Sequence, residues 1–196
     1  KSRSAPTKVR FGVPQGSVLG PILFLLYTAS LIQLVQGHNL CPHLYADDTQ
    51  VYGFGRPGTA EQLQNRTTDC IADVADWMKS NRLQLNAAKT EVIWFASARR
   101  QHQLPVESLV VGADAVSPVR SVRDLGIFLD SDLSMRTHIT RTVAGCFAAL
   151  RQIRSIRRSV AEPVLQSLVQ SLLISRLDYG GATLAGLPAV DRKSVV

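Results

Sequence analysis

Residues 44–52 read LYADDTQVY. Residues 44–46 and 49–52 are short β-prone runs, and Asp47-Asp48 between them reads as a tight hairpin turn. Two adjacent carboxylates repel one another, and a bound divalent cation relieves that cost. Mg²⁺ prefers carboxylate oxygens and leaves other positions for water and phosphate. An exposed Asp-Asp turn with no ligand is the plainer reading of the dipeptide alone. The β-prone residues on both sides weigh against it, because they set the pair on a rigid strand–turn–strand.

Working outward, Gly12-Val13-Pro14-Gln15-Gly16-Ser17 precedes an apolar run, and a helix is predicted over residues 17–36. Pro21 suits its first turn and Gly37-His38-Asn39 its end. Two glycines let backbone approach a flat ligand closely, and a helix N-terminus favours negative charge. A plain loop capped by Ser17 accounts for the same residues. On the other side, a second helix is predicted from a Thr59 cap to residue 81. Leu63, Thr67, Cys70, Ile71, Val74, Trp77 and Met78 keep the 3.6-residue period there. Asn86-Ala87-Ala88-Lys89-Thr90 then leads into EVIWF, residues 91–95, read as a strand. A lysine near phosphates neutralises charge or donates a proton. In isolation Lys89 is equally a solvated surface lysine.

The remainder predicts a small hairpin around Gly112-Ala113-Asp114, another strand within residues 122–129, and helices over 137–156 and 161–178. Val143, Phe147, Leu150 and Ile153 give the first of these an apolar face. Arg151, Arg154 and Arg158 fall on a different stripe, and with Arg157 they crowd into eight residues. Strands give way to basic helices near residue 133, and that segregation predicts an α+β fold.

The 196 residues are 45% hydrophobic and 19% charged, which excludes global disorder. Cys41, Cys70 and Cys146 are too few and too scattered for a disulfide framework or a zinc site, and they suit a reduced intracellular compartment. The net charge is +7, and 17 of the 22 basic residues are arginines, whose forks match phosphate geometry. Residues 11–135 carry twelve acidic and nine basic side chains, whereas residues 136–176 carry seven arginines against Glu162. That asymmetry points to a cation site beside a polyanion site. Residues 18–35 contain no charge and approach membrane-spanning length. Gly20-Pro21 and the polar Thr28, Ser30 and Gln33 favour a helix buried on most sides within the protein, and no membrane partner is expected.

The order of the motifs carries further weight. FGVPQGSVLGPILF, then LYADDTQVY, then LQLNAAKTEVIWF resembles the palm of a reverse transcriptase, closest to the non-LTR (LINE-like) retrotransposon branch. DLGIFLDSDLSMRTHI, residues 124–139, resembles that branch's primer-grip region, and LLISRLDYG, residues 172–180, its thumb. The resemblance implies a partial palm over residues 1–133 and a helical thumb over 134–196. It implies RNA-directed DNA synthesis by two-metal nucleotidyl transfer, with Mg²⁺ (or Mn²⁺), deoxynucleoside triphosphates, an RNA template and a DNA primer.

Carried over residue by residue, the resemblance makes Asp47 a metal ligand and sets Asp48 beside the metal and primer end. Lys89 approaches the nucleotide's phosphates. Gln15 and Gly16 lie against nucleotide and template, and Tyr45 packs near the primer terminus. Gly126 belongs to the primer grip, and Arg151, Arg154, Arg157 and Arg158 contact the nucleic-acid backbone. The family's other metal-binding carboxylate lies upstream in a strand reading FxDxxxAFD. Only ten residues precede Phe11 here, and none is Asp or Glu. The expectation is therefore a fragment that is inactive alone, acting in cytoplasm and nucleus as part of a larger enzyme. The alternative is a non-catalytic nucleic-acid-binding module. A polymerase copying RNA into RNA is weaker, since the turn reads YADD and not GDD.

Overall fold

A computed structural model describes residues 16–184. It mixes helices with three two-stranded antiparallel hairpins, an α+β arrangement as the segregation of elements predicts. The chain divides into two compact units, and each is described by itself. The first runs to Thr90 and takes back Ser108–Val116; the second holds Glu91–Glu107 and the chain from Ser117 onward.

In the first unit, α1 spans Leu19–Gly37. Ser17 Oγ accepts from the Gly20 amide at 3.1 Å, so it satisfies one of the open N–H groups of the first turn. β1 (Cys41–Tyr45) and β2 (Asp48–Tyr52) form the first hairpin, with Tyr45 opposite Asp48. α2 spans Ala60–Ser80 and buries Leu63, Cys70 and Val74, positions its apolar period marks. β3 (Leu109–Val111) and β4 (Asp114–Val116) pair around Gly112-Ala113, and Leu109 and Val111 turn inward. With Leu31, Val35 and Leu40 these residues form the unit's core. Burial pushes the Cys70 thiol up to about 11, helped by nearby Asp73, so it stays protonated and inert.

The α1 helix departs from the expectation of burial on most sides. Only Thr28, Leu31 and Val35 are buried, while Val18, Leu19, Ile22, Leu23, Leu25 and Leu26 are exposed. α2 and β1 pack against it and cover a single stripe. By length and composition the helix is apolar enough to cross a membrane.

Two further expectations are corrected. Residues 91–95 do not form a strand: Val92 makes one isolated parallel bridge to Pro118, with the Val119 amide donating to the Val92 carbonyl at 2.8 Å. β-Branched and aromatic composition supplies propensity, but a ladder also needs a partner strand. Residues 122–129 hold two strands where one was expected. β5 (Ser121–Asp124) and β6 (Ile127–Asp130) pair across Leu125-Gly126 in the second unit. Both loop residues have positive φ, 45° and 90°, as a two-residue turn of type I′ requires.

The helices of the second unit follow. α3 spans Arg136–Ile156, α4 spans Glu162–Val169, and α5 spans Ser175–Asp178. A π-helical stretch at Gln170–Ile174 joins α4 to α5, so residues 162–178 are one continuous helical segment with a widened turn. Ala149 and Ile153 of α3 meet Leu173 in the core, flanked by Leu165, Leu168, Val169 and Leu172.

Asp130, at the end of β6, fixes where α3 begins. Its carboxylate accepts from the Thr137 amide at 3.0 Å and from Ser134 Oγ at 3.4 Å. Burial pushes the Asp130 carboxyl up, but the hydrogen bonds from Thr137 and Ser134, with the Ser121 hydroxyl nearby, together outweigh it and hold it below the ordinary value. The stability it contributes is therefore present above the unfolded-state pKa and is lost as pH falls through the lower folded-state pKa. Asp130→Asn should cost about 1–3 kcal/mol near neutral pH and flatten the acid limb of the unfolding profile. Thermal melts across an acid pH series check both; an unchanged acid limb would remove Asp130 from this role.

Candidate functional site

The YADD segment sits at the tip of the first hairpin. The two-residue loop is Ala46-Asp47, and Asp48 already belongs to β2, so the turn lies one residue earlier than the sequence suggests. The two carboxylates consequently differ. Asp47 rides on the loop, whereas Asp48 starts a strand opposite Tyr45. Alternation puts Tyr45 and Asp48 on one face of the hairpin, with His43 opposite Gln50 farther along it. Tyr45, Asp47 and Asp48 are all exposed. Ala46 has φ 54° at the first loop position, where such hairpins favour glycine. Backbone held in this region costs of order 1–2 kcal/mol, and strain of this kind gathers at functional turns.

The donor chemistry of Asp47 and Asp48 suits a hard divalent cation, since both offer carboxylate oxygens from an exposed, fixed turn. Among the described residues, no third His, Cys, Asp or Glu joins them in a cluster. The pair therefore fits part of a coordination sphere, with the other positions left to water, phosphate or another chain segment.

Gly16 lies just before α1 with φ 83°, a conformation suited to glycine, and no heavy atom stands within 4 Å of where a Cβ would be. Gln15 lies outside the described residues. Lys89 ends a short 3-10 turn at Ala87–Lys89, where Asn86 Oδ1 accepts from the Lys89 amide at 3.2 Å. Thr90 Oγ1 donates to the Asn86 carbonyl at 2.9 Å, so NAAKT forms a self-capped turn with Lys89 exposed. These residues belong to the first unit with the YADD hairpin.

The other candidates lie in the second unit. Gly126, with φ 90°, sits in the β5–β6 turn under the ring of Tyr179; an added Cβ would meet ring Cε1 at 3.1 Å and the hydroxyl at 3.2 Å. The Tyr179 hydroxyl donates to the Leu125 carbonyl. Sequence reading missed this clasp, although LDYG was already marked as a motif. Arg151 and Arg154 are exposed on α3. Arg157 and Arg158 are exposed too, but α3 ends at Ile156 and both lie in the turn that follows, not on the helix as expected.

Set beside known proteins, residues 1–128 match the family model described as reverse transcriptase (RNA-dependent DNA polymerase). The chain belongs to the reverse transcriptase family. Its relatives within that family are polymerases of non-LTR retrotransposons. It is 30% identical over 148 residues to the RNA-directed DNA polymerase from mobile element jockey of Drosophila funebris, covering 70% of this chain and 15% of that protein. It is 30% identical over 159 residues to the probable RNA-directed DNA polymerase from transposon BS of Drosophila melanogaster, covering 78% and 17%. The Pol polyprotein from type-1 retrotransposable element R1 of Nasonia vitripennis is 23% identical over 180 residues, covering 87% and 52%. The chain thus spans a small part of the first two proteins and about half of the third. No solved structure matches.

Proposed function

We propose that this chain is part of an RNA-directed DNA polymerase, with residues 1–133 contributing to its palm and 134–196 forming its thumb. The observation that carries the reading is the YADD hairpin: two exposed carboxylates at a strained two-residue loop, in a chain of the reverse transcriptase family. Asp47 and Asp48 would hold Mg²⁺, or Mn²⁺ in its place. When bound, the ion supplies Lewis-acid stabilisation of charge on the attacking and leaving oxygens.

The chain's own residues then bind and orient the reactants. The open backbone at Gly16, with Gln15 beside it, faces nucleotide and template. Lys89 neutralises triphosphate charge from its capped turn. Tyr45, on the same hairpin face as Asp48, supports the primer end. The Gly126 turn and Arg151, Arg154, Arg157 and Arg158 hold the duplex backbone, contacts that position without reading sequence. RNA template, DNA primer and deoxynucleoside triphosphates are the partners, and cytoplasm and nucleus the places of action. The exposed arginines alone also support a second reading, a nucleic-acid-binding module without catalysis.

Primer extension on an RNA template tests the choice. The 196-residue chain alone should extend no primer with Mg²⁺ or Mn²⁺, whereas the same segment within a complete polymerase domain should extend it. Robust extension by the chain alone, abolished by Asp47→Asn, would mean that an unrecognised carboxylate completes the site. No extension by the complete domain would favour the binding module.

A further inference from the structure

The turn after α3 carries a hydroxyl that the site above does not use. α3 ends at Ile156 and α4 begins at Glu162, with Arg157-Arg158-Ser159-Val160-Ala161 between them. Ser159 is exposed. Its amide donates to the Ile156 carbonyl at 2.8 Å and closes the turn, while its hydroxyl has no partner among the described residues. Ser155 differs, because its hydroxyl donates to the Gln152 carbonyl at 2.7 Å within the last turn of α3. Of the two serines set among the same arginines, Ser159 alone offers a free hydroxyl on an open turn.

The surrounding charge is of one sign. Arg157 and Arg158 directly precede Ser159, Arg154 lies five residues before it and Arg151 eight, and all four are exposed. Glu162 is the only acidic residue from 136 to 176. Protein kinases choose their acceptor segments partly by charge pattern, and an acidic substrate groove selects arginines on the N-terminal side of the acceptor. The acceptor segment must also leave its place at little cost, as an exposed turn at a helix end does.

The folded chain is suited to keep a phosphate here. A phosphoserine carries about −1.5 to −2 charges near neutral pH and three strong acceptor oxygens. Opposite arginines it makes charge-assisted hydrogen bonds and relieves the repulsion among them. Ser159 also lies two residues before Ala161, the N-cap of α4, whose side chain caps nothing. The positive end of a helix dipole favours negative charge nearby.

We propose that Ser159 is a phosphorylation site for an arginine-directed protein kinase, and that its phosphate withdraws the arginines of residues 151–158 from a nucleic-acid backbone. In the step, Ser159 Oγ attacks the γ-phosphorus of a nucleoside triphosphate. The serine O–P bond forms, the bond from that phosphorus to the β–γ bridging oxygen breaks, the diphosphate leaves, and the hydroxyl proton passes to the kinase's base. The switch rests on the reading that these arginines hold the duplex; the modification site does not.

The 196-residue chain, treated with an arginine-directed serine kinase, ATP and Mg²⁺, tests it. Fragmentation mass spectrometry should place phosphate at Ser159, lost in Ser159→Ala and kept in Ser155→Ala. Treated and untreated chains are then titrated with a short labelled RNA–DNA hybrid at several salt concentrations. Phosphorylation should weaken binding at least about tenfold, the loss of one or more charge-assisted contacts. The log–log salt slope should fall by about 1.4–1.8, two contacts' worth. Kinase-treated Ser159→Ala should bind as the untreated native chain does, and circular dichroism should show both native forms folded. An unmodified Ser159 would overturn the proposal, as would a phosphorylated chain that keeps its affinity and slope; both leave the arginine contacts standing. A phosphorylated chain that has unfolded would make the lost binding structural and overturn the switch. Failure of the untreated chain to bind at low salt would overturn the switch and the arginine reading together. The mass-spectrometric result needs no nucleic acid, so these failures are told apart.

Discussion

Primer extension by a complete polymerase domain carrying this segment should fall at least about a thousandfold when Asp47 becomes Asn. Metal ions at such sites supply several kcal/mol of transition-state stabilisation, and each 1.36 kcal/mol is a factor of ten in rate. Asparagine keeps the size and one oxygen of the side chain but removes the charge that attracts the cation. Asp47 is exposed on a two-residue loop, and substitutions at such positions move stability by roughly 0.5 kcal/mol or less. Steady-state extension rates, paired with thermal melts of the same preparations, separate the two effects. A variant that melts like the parent and extends primer at more than about a tenth of its rate would remove Asp47 from the metal site.

The second large effect is structural, at the β5–β6 turn. Gly126→Ala should destabilise the second unit by about 1–3 kcal/mol, combining left-handed backbone strain with overpacking. At φ 90° an L side chain is strained whatever the space around it. The new methyl would also press on Tyr179, 3.1 Å from ring Cε1. That ring is half exposed and can give way, but in doing so it gives up the bond from its hydroxyl to the Leu125 carbonyl. Tyr179→Phe isolates this last contribution and should cost about 0.5–1.5 kcal/mol. Denaturant unfolding of the two variants and their combination checks the assignment. If the clasp is real, the double variant should lose less than the two single losses added together, because both disturb one contact. Strict additivity would separate the turn from Tyr179.

Much of this was legible along the chain. The α2 helix follows its apolar period, and Leu63, Cys70 and Val74 are buried where that period puts them. The α3 helix was predicted to within a residue of its bounds, since its apolar face and its C-terminal run of arginines are both local signals. The order of GVPQGS, YADD and NAAKT carried the family, and the family match confirms it over residues 1–128. The self-capped turn that presents Lys89 is equally local, since Asn86 caps a turn built from its immediate neighbours, although the sequence was read there only as the lead into a strand.

Tertiary structure decided what depends on distant partners. Composition makes EVIWF a strand, yet a strand exists only where another offers its N–H and C=O groups, and Val92 found one bridge. Hydropathy makes α1 a core helix, but burial needs neighbours on several sides, and α2 and β1 cover one stripe. Which carboxylate of Asp47-Asp48 rides the loop follows from strand register, a pairing between residues 41–45 and 48–52 that a one-residue slip would reverse. Tyr179 lies 54 residues from Leu125, and Arg141 reaches the Phe128 ring only because α3 folds back onto β6. Propensity and motif are properties of neighbouring residues, so the sequence by itself determined the main helices, the hairpin at YADD and the family. Register, burial and the meeting of Phe128 and Arg141 are properties of packing, and the folded chain alone decides them.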